Sequence, residues 1–106
     1  MGSLWYDKAG NPLDDLQLTE LRLSDPDYKR VARTQVGKAY VSTVWLGLDH
    51  RFGDGPPLIF ETMVFGGKHD QHTDRYSTEE EAREGHDRIV RMVTPWWRRL
   101  LGRGHR

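Results

Sequence analysis

Apolar and polar positions follow a strand-like pattern most clearly in the middle of the chain. Residues 40–48, Tyr-Val-Ser-Thr-Val-Trp-Leu-Gly-Leu, are dense in β-branched and aromatic side chains, the composition that suits a pleated, half-buried strand. Phe52-Gly53-Asp54-Gly55-Pro56-Pro57 interrupts it, because two glycines and two prolines cannot continue a central strand. Strand character resumes over 58–65, so the pattern predicts an antiparallel hairpin of 40–50 with 58–65. Val44, Leu46 and Leu48 are expected on one face. The facing set depends on register, since a slip of one residue exchanges the two faces.

Helical spacing is clearest near the end. Ala82, His86, Ile89, Val90 and Val93 fall at i, i+4, i+7, i+8 and i+11, one apolar stripe for a core. Two overlapping capping boxes precede it, Ser77 with Glu80 or Thr78 with Glu81, and Pro95 stops it. Residues 14–23 predict another helix, capped by Asp14 or Asp15, although their leucines keep no clean period. Asp25-Pro26-Asp27 has the chemistry of a helix start, and Tyr28, Val31 and Ala32 follow at i, i+3 and i+4. A helix closed by Gly37 is therefore expected there. Trp5 to Leu13 reads as a short strand, a turn at Asp7 and Gly10, and a return. Residues 69–73 read as a polar loop. The sum is one small α+β domain over 1–94, a central antiparallel hairpin or sheet packed by two or three helices. A basic tail, 95–106, follows it.

Composition narrows the function classes. A chain of 106 residues is most simply one domain, since domains most often run to roughly 100–150 residues. Cysteine is absent, which removes disulfides, thiolate metal sites and cysteine nucleophiles, and fits a reducing compartment. No apolar run approaches the roughly 20 residues that span a bilayer, and no basic segment leads into an apolar stretch at the N-terminus. A cytoplasmic chain is expected. The 16 basic and 16 acidic residues cancel overall, but four arginines lie in 95–106, leaving 1–94 with 12 basic and 16 acidic residues, a net of −4. A mildly acidic body argues against nucleic-acid binding by the whole domain and leaves such contact to the tail.

Candidate chemistry is sparse. His50, Glu61 and His86 could converge if the last helix packs on the hairpin. Two imidazoles and a carboxylate can hold a divalent ion with a position open for water, or serve as a base and its orienting partner. Against this stands the plainer reading of His86 as a buried histidine where helix meets sheet. His69-Asp70-Gln71-His72 has the look of a short metal tract but reads as solvated side chains. Gly53-Asp54-Gly55 lacks the lysine and helix of a phosphate loop, and no serine sits in a hydrolase elbow. No catalytic residue and no cofactor is implied. Candidate partner-binding residues are Tyr40 and Trp45 on the strand, with Trp96, Trp97, Arg98 and Arg99 in the tail. There, arginine neutralises phosphate and tryptophan stacks on bases.

Residues 41–50, Val-Ser-Thr-Val-Trp-Leu-Gly-Leu-Asp-His, and 53–65, Gly-Asp-Gly-Pro-Pro-Leu-Ile-Phe-Glu-Thr-Met-Val-Phe, resemble a family of small uncharacterised proteins of bacteriophages, prophages and the bacteria that carry them. Trp5-Tyr6-Asp7, Asp25-Pro26-Asp27-Tyr28 and Arg75-Tyr76-Ser77-Thr78-Glu79-Glu80-Glu81-Ala82 fit the same resemblance, which spans residues 5–93 and leaves the tail outside. It implies a phage or mobile-element origin, and hence a host cytoplasm, but no catalytic residues. The expected function is that of an accessory protein that binds a protein partner, as an inhibitor or modulator of a host system. A metal-assisted hydrolytic or metal-binding domain and nucleic-acid contact through the tail are the alternatives.

Overall fold

The structure, a computed structural model, describes residues 4–50 and 53–98. Arg99 and the rest of the tail lie outside the described residues. Among the described residues eight elements follow one another: β1 (Trp5–Tyr6), β2 (Pro12–Leu13), α1 (Asp15–Ser24), β3 (Arg30–Val36), β4 (Ala39–Trp45), β5 (Phe60–Phe65), β6 (Thr73–Tyr76) and α2 (Glu79–Val93). The last four strands form an antiparallel sheet in sequence order, and β1 pairs with β2 in a small ribbon of its own. This is a small α+β domain.

The hairpin read from the sequence is its centre. β4 and β5 pair from Trp45 opposite Phe60 to Tyr40 opposite Phe65. Burial alternates strictly along β4, with Ala39, Val41, Thr43 and Trp45 inside. Phe60, Thr62 and Val64 answer from β5. The inner face therefore belongs to the odd residues of β4. Val44 stands on the other face, and Leu46 and Leu48 lie beyond the strand, which corrects the expected grouping of these three.

α2 lies across the inner face. Of the two capping boxes, the fold uses Thr78 with Glu81: Thr78 Oγ1 accepts from Glu81 N at 3.1 Å, and Glu81 Oε1 accepts from Thr78 N at 3.2 Å. Ala82, Gly85, His86 and Ile89 are buried. A Cβ at Gly85 would overlap the Tyr76 phenol ring, so only glycine lets the helix come this close. α1 is capped by Asp14, whose carboxylate accepts from Gln17 N at 2.8 Å. Leu18 of α1 packs with Trp45, Ile59, Phe60, Tyr76 and Ala82, and Trp5, Tyr6 and Leu13 of the ribbon close over that group. Each fully buried large side chain among them is worth roughly 1.5–3 kcal/mol of transfer free energy.

Two segments depart from the sequence reading. Residues 26–29 form a turn, and the expected helix is instead β3. Tyr28, Val31 and Ala32 satisfy a helical stripe, but Ala32, Thr34 and Val36 also alternate with Arg33 and Gln35, and β-branched residues pack well in strands. A register irregularity between Arg30 and Ala32 turns Val31 toward Trp45's cluster, beside Tyr28. Gly37, with φ of 59°, opens a two-residue turn between paired Val36 and Ala39, as tight hairpins require. The second departure is β6, a strand the sequence pattern does not predict, which continues the sheet from Thr73 at the end of the expected polar loop to Tyr76.

Candidate functional site

His86 is 3% exposed, and both of its ring nitrogens are engaged. Nε2 lies 2.8 Å from Thr34 Oγ1 and Nδ1 lies 2.7 Å from Thr43 Oγ1. Thr43 Oγ1 in turn lies 2.5 Å from Thr62 Oγ1. Thr43 and Thr62 are fully buried. The result is a hydrogen-bonded polar layer across the core, with Leu18, Trp45, Phe60 and Ala82 on one side and Val41, Val64 and Ile89 on the other. Burial pushes the His86 pKa below 6.5; Asp87 opposes the shift and Arg83 adds to it. None of the described clefts is lined by His86, Thr43 or Thr62. The plain reading of His86 holds.

His50, Glu61 and His86 do not converge. Glu61 is one residue from Thr62 on β5, so it faces the opposite side of the sheet, where its carboxylate accepts from Arg75 Nε at 3.1 Å. His50 follows the end of β4, its backbone N–H donating to Leu58 O at 3.0 Å. Among the described residues no group of three His, Asp or Glu side chains has an arrangement that could hold a metal ion. The metal reading of this trio is thereby corrected: strand alternation separates the carboxylate from the imidazole. In the 69–72 tract, His72 Nε2 sits 3.3 Å from Asp74 Oδ2 while the Asp70 carboxylate accepts from Gly66 N.

Trp45 is 5% exposed, and its indole N–H donates to Tyr6 O at 2.8 Å. It is a core residue, and its place among partner-binding candidates is corrected. Even and odd residues of one strand point opposite ways, so Tyr40 goes outward where Trp45 goes in.

The outer face of the sheet is where the structure gathers exposed chemistry. Tyr40 and Phe65 stack there, ring centroids 4.9 Å apart and planes 23° from parallel. The Arg33 guanidinium sits 4.6 Å from the Tyr40 centroid, a cation–π arrangement. Val44 and Met63 continue the apolar strip, half-buried. A shallow groove of about 230 Å³ runs between Tyr40, Ser42 and Val44 on one side and Lys29, Arg30 and Arg33 on the other. α2 and Trp45's cluster both occupy the inner face, so no described element covers this one. Sequence reasoning found Tyr40 but missed Phe65 and Arg33, because their meeting depends on the β3–β4–β5 register. The signal that could have found them is the alternation of Arg33 and Gln35 with Ala32, Thr34 and Val36.

At the turn end of the sheet a second cleft, about 580 Å³, opens between the β3–β4 turn, the β5–β6 turn and the end of α2. Residues 96–98 make a helical turn in which Arg98 N donates to Pro95 O at 3.0 Å. Trp97 and Arg98 line this cleft, while Trp96 is 68% exposed. No helix among the described residues is long and apolar enough to cross a membrane. No family model, curated protein or solved structure matches this chain.

Proposed function

We infer that this chain is a non-enzymatic binding protein that modulates a protein partner through the outer face of its four-stranded sheet. The observation that carries the reading is the Tyr40–Phe65 stack with Arg33 laid over it. Aromatic and arginine side chains at the centre of a patch are the groups that anchor protein interfaces. Lys29, Arg30 and Arg33 line the groove beside it. Arg30's nearest carboxylate, Asp27 at 3.9 Å, is largely exposed and neutralises it weakly. The complementary partner surface is apolar with acidic groups at its margin. In the phage or prophage setting that the sequence resemblance implies, such a protein acts in the host cytoplasm as an accessory factor on a host system.

Affinity capture tests this when the surface variant is included from the start. Wild-type chain and the Arg33→Glu/Tyr40→Ala variant are used in parallel on bacterial lysate, with thermal unfolding measured for both. A partner retained by the wild type and lost by the folded variant is the expected result, together with an acidic patch on that partner. Equal capture by both proteins would move the interface elsewhere and defeat the proposal.

A further inference from the structure

The cleft at the turn end combines an apolar floor with cationic side chains in its lining. Ala39, Met92, Val93 and Trp97 supply the floor, and Lys38, Lys68 and Arg98 the charge, with no Asp or Glu in the lining. Its volume of about 580 Å³ lies within the range of small-ligand sites, roughly 300–1,000 Å³. Backbone geometry brings together the segments that carry the cations. Gly66, with φ of 85°, abuts the Lys38 carbonyl so closely that a Cβ would stand 2.7 Å from its oxygen. The turns carrying Lys38 and Lys68 can therefore pack against each other. Arg98 Nη1 rests 3.2 Å from where a Cβ on Gly37 would be, which docks the 96–98 turn against the β3–β4 turn.

Among the described residues none of these three cations has an ion-pair partner, although residues 1–94 are acidic overall. Unneutralised cations around a low-dielectric pocket concentrate anions. The charge count and the floor together select the anion. Three cations suit a phosphate monoester, which carries close to two negative charges at neutral pH, better than a single carboxylate. Trp97, 51% exposed, leaves ring surface for a planar group to stack on.

We propose that this cleft binds a nucleoside phosphate, with its base against Trp97 and its phosphate held by Lys38, Lys68 and Arg98. Stacking on tryptophan is tolerant of base identity, so the site discriminates by phosphate and ring rather than by base. A free mononucleotide and the 5′-phosphorylated end of a single strand offer the same chemistry.

Calorimetric titration of the full chain with adenosine monophosphate, adenosine, inorganic phosphate and a short 5′-phosphorylated oligothymidylate tests the assignment. The mononucleotide or the oligonucleotide is expected to bind at least about ten-fold more tightly than adenosine or phosphate alone, and more weakly as salt rises. The tighter of the two identifies the source of the group. Lys38→Gln/Lys68→Gln and Trp97→Ala are each expected to lower that affinity by about ten-fold or more, with the unfolding midpoint unchanged. Should the double variant unfold early, Lys68→Gln alone replaces it, since Lys68 is exposed on its turn. No heat with either nucleotide ligand, affinity unmoved by the variants, or tighter binding of a peptide ending in phenylalanine carboxylate would overturn the proposal. Because the variants lie on a different surface from Arg33 and Tyr40, the outcome is independent of the partner-capture experiment.

Discussion

At the residue scale His86 is held at both ends of its imidazole ring. Its two ring nitrogens meet hydroxyls from two different strands, Thr34 on β3 and Thr43 on β4, and no carboxylate hydrogen-bonds it. Burial therefore holds the folded-state pKa below 6.5, despite the favourable field of Asp87. The unfolded chain takes up this proton first as pH falls, so it binds more protons than the native state and stability must decline. The contribution is whole above 6.5 and is lost on descent through the lowered native value. Urea denaturation at about pH 7.5 and about pH 5.5 is expected to show a lower midpoint at the acid end. His86→Gln is expected to flatten that difference, and an unchanged pH dependence in this variant would contradict the assignment. Tyr76, pressed against Gly85, presents the other unusual polar group. Its hydroxyl is buried beside Thr62 without a formed hydrogen bond among the described residues. Burial raises its pKa, partly offset by Thr62. Tyr76→Phe removes that unsatisfied group and is expected to raise unfolding free energy by about 1 kcal/mol, read from denaturant midpoints.

At the element scale the ends of α2 show how far local chemistry carries. Ser77 and Thr78 offered two capping boxes at equal sequence distance, and only Thr78 presents its hydroxyl to an N3 amide. Thr78→Ala is expected to cost about 1 kcal/mol, whereas Ser77→Ala should stay within roughly 0.5 kcal/mol, as ordinary surface changes do. Thermal melts of the two variants measure the contrast, and equal losses would contradict it. β3 shows the opposite case. Its residues fit a helical stripe over one turn, and no single-chain pattern decides between periods 3.6 and 2 over so few positions. Pairing with β4 decides it, because the strand satisfies its backbone groups along a neighbour that is itself strongly β-forming. β6 is harder still to see. Thr-Asp-Arg-Tyr has no apolar alternation, and it is a strand because β5 beside it offers unpaired backbone groups and Glu61 meets Arg75.

At the scale of the whole molecule the core is two apolar clusters separated by the Thr43–Thr62–His86 layer. α2 and the β4–β5 pair run through both clusters, so the halves are expected to unfold together. Far-UV circular dichroism and tryptophan fluorescence should give coincident urea transitions. Trp45 reports on one cluster, and displaced curves would show that the halves separate. The surface is divided as well. Aromatic and basic groups collect on the outer face and at the turn end, while acids crowd the start of α2 at Glu79, Glu80 and Glu81.

The sequence by itself determined the β4–β5 hairpin, the α2 stripe, the α1 helix, the β1–β2 ribbon and the α+β class. Each of these rests on neighbours within a few turns or pleats, where propensity and capping act. It also marked Tyr40, Trp97 and Arg98 as residues of interest. Only the tertiary structure decided that Trp45 is core, that Glu61 and His86 stand on opposite faces, and that Arg33, Tyr40 and Phe65 meet. The physical reason is register: a single-residue shift along β4 would turn Trp45 outward and Tyr40 inward, one along β5 would exchange Glu61 with Thr62, and nothing local to a strand sets its offset against its neighbour.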